Sequence, residues 1–196
     1  MEKIGIIGCG NLGLSLVKGF RKQYPNALIY GTRRNPELLQ SFSDEKTIFT
    51  ADNARVLREC DIIILALKPY TILDFVAQHA SEFDRSRHTI ISVATGKTLH
   101  ELAAALGNES YSLYRAMPNT AADVQESITA LSSLNDPLNK KAAVEELFNA
   151  IGQTVWIDEQ LMESATILGA CGIAYALRFI RAMIQGGIEV GFDAKT

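Results

Sequence analysis

Residues 4–16 read IGIIGCGNLGLSL and carry Gly8, Gly10 and Gly13 at G-x-G-x-x-G spacing. Residues 4–7 form a short apolar run that reads as a strand, and residues 12–23 carry a helical pattern. The glycines therefore fall at a strand-to-helix turn, where this spacing points to a dinucleotide. Gly8 permits the tight turn, Gly10 lets a pyrophosphate approach the backbone, and Gly13 lets helix and strand pack closely. Cys9, Asn11 and Leu12 complete the loop and open the helix, whose first N–H groups face the phosphates. The competing reading is a glycine-rich turn with no ligand.

The pattern continues outward. Strand-like runs recur at 28–30, 47–49, 62–67, 90–93 and 112–115, with helical segments starting at about Pro36 and at 51–59, 71–80 and 99–106. Residues 62–67 are continuously apolar, as a parallel strand covered on both faces requires. Alternating strands and helices predict an α/β fold, a Rossmann-type parallel sheet with right-handed crossovers. Ligands of such sheets lie beyond the carboxyl ends of the strands, so the strand exits hold the candidate site.

The second strand exits into Gly31-Thr32-Arg33-Arg34-Asn35. An NAD site places an acid there for the ribose hydroxyls. This chain offers a hydroxyl and two guanidiniums, which favour the extra phosphate of NADP(H) over NAD(H). Ordinary solvated charges are the alternative. Asn53, after Asp52, faces the adenine side or belongs to a helix cap. Ala66-Leu67-Lys68-Pro69 ends the next strand, with Lys68 presenting a cation to the phosphates or to solvent. Val93, Ala94 and Thr95, before Gly96, are small enough for a nicotinamide ring to lie close, or are small for packing.

Bulk properties narrow the class. A chain of 196 residues buries roughly 70% of its unfolded surface and needs no staples. The net charge of −3 gives no case for nucleic acid or an anionic membrane. Cys9, Cys60 and Cys171 are the three cysteines. They are far apart and odd in number, with no CxxC pair, so neither a disulfide framework nor a zinc site is suggested, and a reducing cytoplasm is the simplest setting. His79, His88 and His100 have no ligand-like spacing and read as surface or helix residues; no metal is expected. MEKIGIIG holds no signal peptide. Residues 167–192 are strongly apolar but carry Arg178, Arg181, Gln185 and Glu189, which argues against a membrane span and for a buried helix in a core or subunit interface. Gly169, Gly172, Gly186 and Gly187 would allow close helix approach there.

After the strand at 112–115 comes Arg115-Ala116-Met117-Pro118-Asn119-Thr120. At this point the chain resembles the pyrroline-5-carboxylate reductase family, whose signature includes R-x-M-P-N-T in this place. The family's A-V-K-P turn is matched by Ala66-Leu67-Lys68-Pro69, and its S-x-A-A-G turn by Ser92-Val93-Ala94-Thr95-Gly96. Residues 126–131 track a segment ending in T-A-L. The resemblance implies an NADP-binding Rossmann-like domain over 1–157 and, over 158–196, the start of an all-helical dimerisation domain that is cut short. It implies NADPH-dependent reduction of 1-pyrroline-5-carboxylate, a cyclic imine, to L-proline, the last step of proline biosynthesis, in a cytoplasmic homodimer or larger homo-oligomer.

Carried over by position, the cofactor contacts fall on Gly8 to Leu12, Thr32, Arg33, Asn53, Ala66 to Pro69 and Val93 to Thr95. Asn119 falls near the nicotinamide or substrate. Arg115 either anchors its loop or touches a ligand. The family's D-A-V-T-A-L-S-G-S-G-P-A-Y corresponds to residues 163–175. Thr166, a second candidate for the substrate pocket, is retained there with Leu168, Gly172, Ala174 and Tyr175. Gly169-Ala170-Cys171 replaces Ser-Gly-Ser, Ile173 replaces Pro, and Arg181 and Gln185 stand in for an acidic pair. The family's hydroxyl-bearing helix, proposed to donate the proton, and its carboxylate-binding segment fall beyond residue 196, so no catalytic residue is assigned. The alternatives are a non-catalytic NADP-binding module or another NADP-dependent oxidoreductase, of the deazaflavin-dependent type. Residues 161–192 are expected to form an apolar helix pair that seeks a partner.

Overall fold

Five strands of the sheet are buried along their whole length: β1 (Ile4–Ile7), β2 (Ile29–Thr32), β4 (Ile62–Leu65), β5 (Thr89–Ser92) and β6 (Ser112–Met117). A strand buried on both faces has no polar side to alternate with, so IGII and IIIL are continuous apolar runs. β3 (Thr47–Thr50) completes the parallel part. The computed structural model describes residues 3–107 and 110–193. Residues 1–2 and 194–196, the outer ends of the two expected domains, lie outside the described residues, as do 108–109.

The eight strands run in the order β3-β2-β1-β4-β5-β6-β7-β8. β1 to β6 pair in parallel; β7 (Ser127–Asn135) is antiparallel to β6, and β8 (Gly152–Trp156) is parallel to β7. Helices cover both faces. One core joins α1 (Asn11–Gln23) and α5 (Lys141–Asn149) to the sheet through Leu16, Val17, Phe20, Val144 and Phe148. The other joins α2 (Asn53–Glu59), α3 (Ile72–Gln78) and α4 (Leu99–Ala105) through Val56, Leu57, Val76 and Leu102. Burying each such side chain contributes about 1.5–3 kcal/mol. The strand order reverses between β1 and β4, and a reversal of that kind opens a crevice at the carboxyl ends of the strands.

Two expectations change. His88 is fully buried, not a surface residue. Its Nδ1 accepts the Asp84 N–H at 3.0 Å and its Nε2 lies 2.9 Å from the Leu57 carbonyl, which makes Nε2 the protonated nitrogen. Burial holds its pKa below the usual value, so the ring is a neutral structural link. The C-terminal stretch is not a helix pair but one helical run, Glu159–Glu189. It comprises α6 (Met162–Ala165), a π-helical turn (Thr166–Cys171) and α7 (Gly172–Glu189). No residue of α7 is buried in the protomer; Tyr175, Phe179 and Met183 are exposed at 64%, 68% and 63%. A Cβ on Gly169, Gly186 or Gly187 would meet nothing within 4 Å, so these glycines serve no helix contact within the chain. By length and composition the run is also long and apolar enough to cross a membrane, because only two charges, Arg178 and Arg181, fall in its middle.

Candidate functional site

The glycine turn is built as its spacing requires. Gly8 has a φ of +97°, and a Cβ there would stand 2.7 Å from the Ala66 carbonyl oxygen. Gly13 brings α1 against the turn, where a Cβ would meet the Gly8 carbonyl oxygen at 2.7 Å. Thr32 locks the loop to β2. Its Oγ1 accepts the Gly8 N–H at 3.1 Å and its carbonyl accepts the Cys9 N–H at 2.6 Å. Above Gly10, by contrast, an added Cβ would meet nothing within 4 Å.

The N–H groups follow a division of labour. Those of Gly8 and Cys9 go to Thr32, that of Gly10 to the Gly8 carbonyl, and that of Leu14 begins the helical ladder on Gly10. No protein acceptor meets the N–H groups of Asn11, Leu12 and Gly13 among the described residues. α1 has no side-chain cap and no acidic residue in its first turn. Orphan donors at a helix N-terminus attract an anion. Cys9 adds its backbone, not its thiol. Burial pushes the thiol up to about 12, and its Sγ is packed under Gly31.

This turn forms one wall of a cavity of about 800 Å³ over the ends of β1, β2 and β4. The cavity brings together Gly8, Cys9, Gly10, Thr32, Arg33, Arg34, Asn53, Ala66, Leu67 and Lys68 from the expected set. Arg33 reaches back to the Cys9 carbonyl at 3.5 Å. Neither Arg33 nor Arg34 has a carboxylate within ion-pair distance among the described residues. Asp52 caps α2 by accepting the Arg55 N–H at 2.9 Å, and this leaves Asn53 free to line the cavity.

The remaining expected residues stand elsewhere. Asn11, Leu12 and Gly13 supply the orphan N–H groups from the helix start. Pro69 sits in the turn before α3. Val93 and Ala94 are buried beyond β5 and Thr95 is exposed; none of the three lines the cavity. Asn119 and Thr166 are both engaged within the protein. The Asn119 Oδ1 accepts the Ala121 N–H at 3.0 Å and its Nδ2 donates to the Gly169 carbonyl at 3.3 Å. The Thr166 hydroxyl donates to the Met162 carbonyl at 2.7 Å. Sequence reasoning missed Asn35, Leu38, Ala51, Tyr70 and Thr71 in the cavity wall. Leu38 and Tyr70 are 60% and 79% exposed. Large apolar groups left in water beside a cavity suit a flat ligand. They adjoin motifs the sequence does show, but only the fold aims them at one space.

Residues 3–96 match the family model described as NADP oxidoreductase, coenzyme F420-dependent, and residues 159–196 match the one described as pyrroline-5-carboxylate reductase dimerisation. Pyrroline-5-carboxylate reductase of Methanosarcina acetivorans is 34% identical over 100% of this chain and 73% of its own length. The chain belongs to the pyrroline-5-carboxylate reductase family. Pyrroline-5-carboxylate reductase 1 of Dictyostelium discoideum is 33% identical over 98% of this chain, which spans 37% of that relative's length. Among solved structures, the Plasmodium falciparum pyrroline carboxylate reductase with NADP bound superposes with a TM-score of 0.85 at 25% identity, over 99% of this chain and 72% of that one. Family membership gives the exposed run a reason: the dimerisation match begins at Glu159, where the helical run itself begins.

Proposed function

We propose that this chain is an NADPH-dependent reductase of 1-pyrroline-5-carboxylate, forming L-proline. The observation that carries the reading is the cavity itself: orphan N–H groups at the start of α1, open space above Gly10, and Arg33 and Arg34 without carboxylate partners. Together they fit a dinucleotide with a phosphate on its adenosine ribose. Asn11, Leu12 and Gly13 would hold the pyrophosphate, Arg33 and Arg34 the extra phosphate, and Asn53, Leu38 and Tyr70 the adenine side. Lys68 stands where it can meet the ribose or phosphates, with Val93, Ala94 and Thr95 toward the nicotinamide end. Bound NADPH supplies a hydride to the carbon of a C=N bond. The protein's part is to orient the ring and exclude water.

The domain reading follows: residues 1–157 bind the cofactor and residues 158–196 begin the helical dimerisation domain. The partner of that arm is a second copy of the chain, in the cytoplasm, where the free thiols of Cys9, Cys60 and Cys171 suit a reducing setting. Light scattering at micromolar concentration is expected to give a dimer or larger assembly. The double substitution Phe179→Asp with Met183→Asp should shift it to monomer, because each charge would have to be buried unpaired. A parent chain that is monomeric without detergent contradicts the reading.

The activity is tested by following the loss of reduced-nicotinamide absorbance. The protein should oxidise NADPH when 1-pyrroline-5-carboxylate is added and not before. NADPH binding without substrate-dependent oxidation would instead favour a binding module.

A further inference from the structure

The R-x-M-P-N-T segment touches the helical run more than it touches the cavity. Arg115, Met117 and Asn119 are two residues apart, so they share one face of β6 and its exit. Each takes hold of a successive point on the root of the run. The Arg115 Nη1 lies 3.6 Å from the Glu159 Oε1, with the arginine 2% exposed. Glu159 also accepts the Leu99 N–H at 2.6 Å, where α4 begins. Met117 shares a small apolar cluster with Met162, against which Ala165 and Ala170 pack. Asn119 donates to the Gly169 carbonyl at 3.3 Å, inside the π-helical turn. Wide turns of this kind are inserted where a helix must be re-aimed.

Beyond this root, no residue of α7 is buried, so no packing among the described residues fixes its direction. Arg115 is also poorly satisfied for a buried cation: its Nε and Nη2 have no hydrogen-bond partner. A methionine would fill such a site at less cost. A cation there selects a partner that brings a carboxylate, and so selects one register of the root against β6.

We propose that Arg115, Met117 and Asn119 are positioning residues that clamp the root of the helical run to the sheet and set its direction relative to the cofactor cavity. This rests on the reading of the run as a dimerisation arm. The clamp acts on the arm and not on the cofactor, so its loss should separate the two.

Hydrogen exchange of the full chain tests this without substrate, and so independently of the reaction. Glu159→Gln keeps the side-chain shape and an acceptor for Leu99 but removes the charge facing Arg115. Asn119→Asp keeps the bond to Ala121 and loses the donor to Gly169. Each should speed exchange of residues 159–171 about tenfold and leave β1 to β5 unchanged. In Glu159→Gln the affinity for NADPH should stay within about twofold while kcat falls and KM for NADPH does not move. Unchanged exchange at 159–171 in both variants, or equal acceleration across the whole sheet, overturns the proposal.

Discussion

Replacing Arg33 with alanine is expected to weaken NADPH binding about ten- to a hundredfold and leave NADH binding within about twofold. The difference is one of charge. Arg33 and Arg34 leave β2 side by side at the cavity wall, with no acid at the strand end to prefer a free ribose hydroxyl. A phosphate there would take charge-assisted hydrogen bonds from a guanidinium, each contributing roughly 1.5–3 kcal/mol. NADH has nothing to offer the same group. Titration with both cofactors, parent and variant side by side, checks it. A parallel loss for both would place Arg33 in the loop's framework through its contact with the Cys9 carbonyl.

The glycine loop gives a second large effect, and a contrast within it. Gly10→Val should leave thermal stability within about 2 °C and reduce NADPH affinity roughly a hundredfold or more. The added side chain enters open space, so the fold has nothing to resist. On the proposed reading, the cofactor's phosphates occupy that same space to reach Asn11, Leu12 and Gly13. Forfeiting two such bonds costs about 3–6 kcal/mol. Gly8→Ala should do the reverse kind of damage. It places a Cβ at a φ of +97° and 2.7 Å from the Ala66 carbonyl oxygen. Strain at such a position costs about 1–3 kcal/mol in folding, before any clash is relieved. Thermal melts and cofactor titrations on the two variants separate a framework glycine from a binding one.

The legible part of the fold was the part where sequence pattern and burial coincide. Ile4–Ile7 and Ile62–Leu65 are apolar because both their faces are covered, so their runs mark a parallel sheet directly. β7 and β8 left no such mark. Ser127, Thr129 and Ser132 are buried in β7 yet polar, and β8 alternates half-buried and exposed residues at the sheet edge. Their β-branched and aromatic residues fit a strand, but the short runs and buried hydroxyls carry a weaker signal than the continuous apolar runs of β1 and β4. The helical run was legible only in part. Its apolar residues left burial in a core or in a subunit interface open; no residue of α7 is buried in the protomer, which leaves the interface.

The site divides the same way. Gly8, Gly10 and Gly13 are read from their spacing, and Thr32 and Arg33 from their place at the exit of the second strand. Tyr70 and Leu38 come from separate turns and meet only across the cavity. Asn119 was legible as part of a motif, but its partner Gly169 is 50 residues on, so its hold on the helical run could not be read from spacing.

If a hydride passes from NADPH to the imine carbon of 1-pyrroline-5-carboxylate, an isotope at the cofactor's transferable position must reach the product. The direct measurement is mass spectrometry of the product formed with NADPH carrying deuterium at the transferable position. The expected product is proline one mass unit heavier, with the label on the ring carbon that was double-bonded to nitrogen. Unlabelled proline, or none while NADPH remains bound, would contradict that transfer.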